Sequence, residues 1–78
     1  MNNTEKDIRD KIVKRGVSNL KEFGYEHCTE KNILTDEVYK LFFKQQLEEA
    51  KEETKNVDIN NVINLLLNQI NIYSRTRN

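Results

Sequence analysis

Residues 59–74 read INNVINLLLNQINIYS and contain no Asp, Glu, Lys or Arg, in a chain of which 33% is charged. Ile59, Ile63, Leu66, Ile70 and Tyr73 follow one another at intervals of 4, 3, 4 and 3. That spacing is the apolar seam of a helix laid against other helices. Val62, Leu65 and Ile72 form a second seam about 100° away, interrupted by Gln69. Leu67 adds a third direction, and Asn60, Asn61, Asn64, Asn68 and Asn71 complete the circumference. The apolar arc is wider than two short neighbouring helices require. Asparagine is a poor helix former, so this helix needs tertiary or quaternary contact to stay ordered.

Two readings of the stretch compete. In one it is the central core helix, and its asparagines follow a genome rich in A and T. Asn, Lys and Ile, whose codons share that bias, make up 27 of the 78 residues. In the other, the second seam and its amide edges (Val62, Leu65, Gln69, Ile72, Asn61, Asn64 and Asn68) meet another protein chain. A solvated helix face normally carries charge, and this one carries none, which favours the second reading. Self-association is the simplest version, because a two-fold interface needs only one self-complementary patch.

Working outward, the rest of the chain is also helical in pattern. It has no proline, only two glycines and no strand-like alternation. We expect one all-α domain over residues 1–78, with three helices at about 5–23, 36–54 and 59–74 and the third central or at an oligomer interface. Thr4 with Asp7 suggests a capping box for the first helix, whose apolar stripe is Ile8, Ile12, Val13, Val17, Leu20 and Phe23. Gly24 reads as the left-handed residue that ends it, with Leu20 and Tyr25 placed for a Schellman contact. Gly16, inside the helix, marks either the close approach of another backbone or simple tolerance of a residue costing about 1 kcal/mol. Thr35 is the expected N-cap of the second helix, and Leu34 with Tyr39 suggests a hydrophobic staple. One face of that helix carries Val38, Leu41, Phe42 and Gln45; the adjacent face carries Tyr39, Phe43, Leu47 and Ala50. In the connection, Thr29-Glu30-Lys31 fits one helical turn, and Ile33 and Leu34 are expected in the core. Asp58 is the expected N-cap of the third helix, with Val57 and Val62 as its staple. A break near 54–58 is favoured over one continuous helix.

Composition excludes several functions. The formal net charge is zero, so no global field draws the chain to nucleic acid or membrane. No apolar run approaches the roughly 20 residues of a membrane span, and the acidic, polar N-terminus is unlike a secretory leader. The single cysteine, Cys28, permits no internal disulfide. A soluble cytoplasmic protein is expected. A chain of this size buries only roughly 60% of its unfolded surface and gains from a partner.

Chemistry could begin only at His27-Cys28. Sequence neighbours rarely aim their side chains at each other, and no second Cys or His exists to complete a zinc site. Cys28 is expected to be a small buried apolar residue. A site shared between subunits around the pair is a weaker enzymatic alternative. Glu48, Glu49, Glu52 and Glu53, interleaved with Lys51 and Lys55, read as a solvated face rather than a cation site. No phosphate-cradling glycine loop occurs. We therefore expect no enzyme, no cofactor and no metal. The alternative function is a small nucleic-acid-binding regulator using Lys11, Lys14, Arg15 and Lys21 on the first helix with Arg75 and Arg77 at the C-terminus. Against it, the connection is too long for a helix-turn-helix, and the candidate recognition helix opens with Asp36-Glu37.

The stretches Asn19-Leu20-Lys21-Glu22-Phe23-Gly24-Tyr25, Asn32-Ile33-Leu34-Thr35-Asp36 and Phe42-Phe43 resemble small uncharacterised proteins encoded by tailed bacteriophages. The resemblance covers about residues 16–50 and omits the third helix. It implies no activity and no site residues. It does imply a phage accessory protein in the host cytoplasm, acting by binding a host protein or as an oligomer. The expectation is thus a non-enzymatic interaction module, homo-oligomeric, whose partners are itself and a host factor.

Overall fold

A left-handed glycine closes the first helix. Gly24 has φ +105°, its amide donates to the Lys21 carbonyl, and the Tyr25 amide donates to the Leu20 carbonyl, both at 3.0 Å. These are the two hydrogen bonds of a Schellman cap, as the sequence suggested. The computed structural model describes residues 4–75. Its helices are α1 (Thr4–Glu22), α2 (Glu37–Glu53) and α3 (Val57–Arg75), with no strand among the described residues. The all-α, three-helix expectation is borne out. α3 lies against both α1 and α2, more extensively than they contact each other.

The N-caps differ from the sequence reading. Thr4, the first described residue, is already helical rather than the residue before the helix. The α2 cap is Asp36, not Thr35: its carboxylate accepts from the amides of Val38 (2.9 Å) and Tyr39 (3.1 Å). A carboxylate binds amides more strongly than a hydroxyl does, and it also complements the helix dipole. The α3 cap is Asn56, not Asp58. Its Oδ1 accepts from Asp58 at 2.8 Å and Ile59 at 3.1 Å, which leaves Asp58 in the first turn. These shifts remove both staples, because the flanking pairs become Thr35/Lys40 and Lys55/Asn60. The favoured break between α2 and α3 is present at residues 54–56, where the Thr54 amide closes α2 on the Ala50 carbonyl.

The connection from α1 to α2 is ordered by Asn32. Its Oδ1 accepts from the Thr29 amide (2.8 Å), its own amide donates to Thr29 Oγ1 (3.3 Å), and its Nδ2 donates to the His27 carbonyl (3.0 Å). The Asn32 carbonyl then accepts the Asp36 amide at 2.8 Å, coupling this turn to the start of α2. Ile33 and Leu34 enter the core, as expected.

The core unites Val13 and Leu20 of α1, Cys28, Ile33 and Leu34 of the connection, Phe43 and Leu47 of α2, and Val62, Ile63, Leu66 and Ile70 of α3. Burying each large member stabilises by about 1.5–3 kcal/mol. Phe23 departs from its expected place: it is 69% exposed and only its ring touches Phe42. The position is about 60° round the helix from Leu20, at the edge of the stripe. Lys40 is buried instead, on the line of Phe43 and Leu47, with Nζ 3.6 Å from Glu37 Oε2. Gly16 resolves in favour of close approach, though by side chains rather than backbone. A Cβ there would lie 2.6 Å from Phe43 Cε1 and 3.0 Å from Ile33 Cδ1.

Two tests follow from this core. Gly16→Ala should lower stability in urea denaturation, because overpacking a fully buried ring costs about 1–3 kcal/mol and the helix-propensity gain is about 1. The loss should shrink or reverse in a Phe43→Leu background; a stabilised Gly16→Ala single variant would show that the ring moves freely. Lys40→Met should leave the urea midpoint unchanged or raise it, since an ion pair with a half-exposed glutamate offsets little of the cost of burying the lysine. A fall of about 3 kcal/mol would show that the Lys40–Glu37 pair is net stabilising.

Candidate interaction surface

Because the seam Ile63, Leu66 and Ile70 faces inward, the residues one position removed are carried to the rim of α3 or beyond it. Val62 is 2% exposed and belongs to the core, whereas Leu65 is 50% and Ile72 55% exposed. The second seam is therefore divided: its first member is held by the fold and the other two reach solvent. Val62, Leu65, Asn68, Gln69 and Ile72 line a shallow groove with Glu5, Lys6 and Arg9 of α1. Asn61 lies beside it, in a depression shared with Thr4, Glu5 and Asp58. Asn64 is exposed and lines neither.

The groove has an apolar floor and a mixed rim. Glu5, Lys6 and Arg9 form no ion pair with one another among the described residues. Gln69 Oε1 is buried without a hydrogen-bond partner among the described residues, as is Asn60 Oδ1 elsewhere on α3. A buried amide oxygen left unpaired costs about 1–3 kcal/mol. Tyr73, at the end of the core seam, is 40% exposed.

The other candidate sites are placed as follows. Lys11, Lys14, Arg15 and Lys21 are all exposed on α1. Asp7 and Glu22 fall on the same side of that helix by spacing, so the stripe is of mixed sign. Arg75 closes α3, and Arg77 lies outside the described residues. Glu48, Glu49, Glu52 and Glu53 are exposed. Among the described residues no group of three or more His, Cys, Asp or Glu side chains is positioned to hold a metal ion. No described helix is long and apolar enough to cross a membrane.

His27 and Cys28 diverge. His27 is exposed and contributes its carbonyl to Asn32, while Cys28 is fully buried, with its amide bonded to the Tyr25 carbonyl at 3.2 Å. Burial pushes the Cys28 thiol above its ordinary value; Lys21 opposes the shift and Asp36 adds to it. Such a thiol is a poor nucleophile.

One surface escaped the sequence reading. Val38 and Leu41 of α2 are exposed and lie with Phe42 on one helix face; Phe23 abuts that face at the end of α1. The spacing at 38, 41, 42 and 45 was legible, but it did not say which of two adjacent α2 faces would be covered.

No family model, curated protein or solved structure matches this chain.

The thiol supplies a test by pH. Its folded value is raised, so the native state retains a proton that the unfolded chain has released. Cys28 therefore contributes stability that is full below the unfolded value of about 8.5 and is lost as pH rises toward the folded value. Cys28→Ala should be less stable at neutral pH, from the cavity, yet show a shallower alkaline decline than the native sequence in parallel denaturation series. Identical slopes would show that the thiol reaches water.

Proposed function

We propose that this chain is a non-enzymatic interaction module that associates with a second copy through the exposed Leu65–Ile72 band of α3. The observation that carries the reading is the division of the second seam: two large aliphatic residues stand half exposed on a helix whose first seam already fills the core. They lie within the run 59–74 of α3, which carries amides and no charge. Desolvating the amide edge on α3 costs less than desolvating the opposite edge of Glu5, Lys6 and Arg9. The bacteriophage resemblance of residues 16–50 supports a more specific version, an accessory protein that binds and modulates a host factor. The nucleic-acid alternative is less favoured, because the basic stripe of α1 is interrupted by carboxylates.

The test is molar mass by light scattering across protein and salt concentrations. The expected result is a dimer or larger species that survives high salt, which Leu65→Glu converts to a monomer with its helicity retained. Ile63→Glu should unfold the chain, because it places an unpaired charge in the core. A native chain that is monomeric at every concentration, or a Leu65→Glu variant that unfolds at every concentration, overturns self-association through this band.

A further inference from the structure

A second groove, separate from the α3 band, lies between the end of α1 and the middle of α2, with a volume of about 510 Å³. Phe23 and Phe42 form its apolar wall, Glu22 and Glu49 contribute two carboxylates, and the remaining lining side chains are amides. The Phe23 and Phe42 ring centroids are 6.2 Å apart with a 31° tilt. Phe42 is supported by Tyr25 at 5.3 Å, and Tyr25 by Tyr39 at 5.7 Å. Phe23 is thus the exposed outer member of a series of four rings that reaches inward to the core.

Among the described residues no cation lines this groove. Arg15 lines the adjoining groove that shares Glu49, and no ion pair joins them. Aromatic faces attract cations, and carboxylates beside them supply the charge-assisted hydrogen bonds. A guanidinium suits both features, since it stacks flat on a ring and binds a carboxylate through two parallel N–H groups. Two copies of this chain meeting here would bring four carboxylates together, so self-pairing at this face is disfavoured.

We propose that the groove between α1 and α2 docks a short arginine-bearing segment of a different protein, with a guanidinium against Phe23 and Phe42 and paired to Glu22 or Glu49. The inference is independent of self-association through α3. It leaves the α3 band free, so the chain can engage a partner while associated with itself.

The test is fluorescence anisotropy of a labelled peptide, Leu-Arg-Ser-Arg-Leu, titrated with the full chain, beside its Leu-Glu-Ser-Glu-Leu counterpart. Saturable binding of the arginine peptide alone is expected, weakening as salt rises. Phe23→Ser and the pair Glu22→Gln with Glu49→Gln should each weaken it about tenfold or more. All three positions are exposed, so unchanged circular dichroism is expected and should be confirmed. Leu65→Glu should bind as the native chain does, which separates this result from the fate of the α3 reading. Absence of saturable binding, equal binding of the acidic peptide, or indifference to the groove substitutions overturns the proposal. So does binding that emerges only after Arg75→Gln with Arg77→Gln, which would mean that the chain's own terminal arginines fill the groove.

Discussion

Where α1 passes over α2, the ring of Phe43 occupies the space in which a side chain at position 16 would begin. Ile33 closes the same space from the connection between the helices. Three separate segments thus meet at one point that only glycine can occupy. The rest of the core is arranged around it: Val13 and Leu20 flank Gly16 on α1, Leu47 continues the α2 line, and Ile63, Leu66 and Ile70 of α3 complete the enclosure. A glycine inside a helix is locally unfavourable by about 1 kcal/mol. It is tolerated because it lets a phenylalanine bury its whole ring, a gain of larger size.

Around that contact, small polar side chains do the joining. Asn32 holds the turn at 29–33 and accepts the amide of Asp36; Asp36 caps α2; Asn56 caps α3. Each satisfies amides that a helix start or turn would otherwise leave unpaired. In so small a domain, where apolar burial is limited, such bonds fix the helix directions that the core alone would leave loose. They also explain why Phe23 faces solvent. The Schellman turn at Gly24 sends the chain toward Cys28 before the α1 stripe has completed another turn, and Phe23 remains on the outer side.

Two apolar surfaces remain uncovered, and their chemistry differs. The α3 band is aliphatic and amide-bordered, within the charge-free run 59–74. The groove between α1 and α2 is aromatic with a carboxylate lining. The first suits association of like with like; the second suits a cation. The buried thiol of Cys28 and the outward His27 offer no comparable chemistry, because neighbouring residues in the connection point to opposite environments.

Helix existence and number were determined by the sequence itself: the absence of proline and of alternation, the 4-3 spacing of Ile63, Leu66 and Ile70, and Gly24 as a terminator are local properties. The inward direction of that α3 seam was legible for the same reason, since three large aliphatics on one line have nowhere else to be buried. Tertiary structure alone decided which of two adjacent α2 faces turns inward, because Phe42 and Phe43 are equally apolar and only the space above Gly16 distinguishes them. It also placed Lys40 inside, on the line of Phe43 and Leu47, and Phe23 outside, at the edge of the α1 stripe, both against their ordinary preferences. The cap positions fell between the two levels. The sequence reading put them at Thr35 and Asp58, whereas the structure puts them at Asp36, whose backbone is extended, and at Asn56, whose Oδ1 accepts the amides of Asp58 and Ile59.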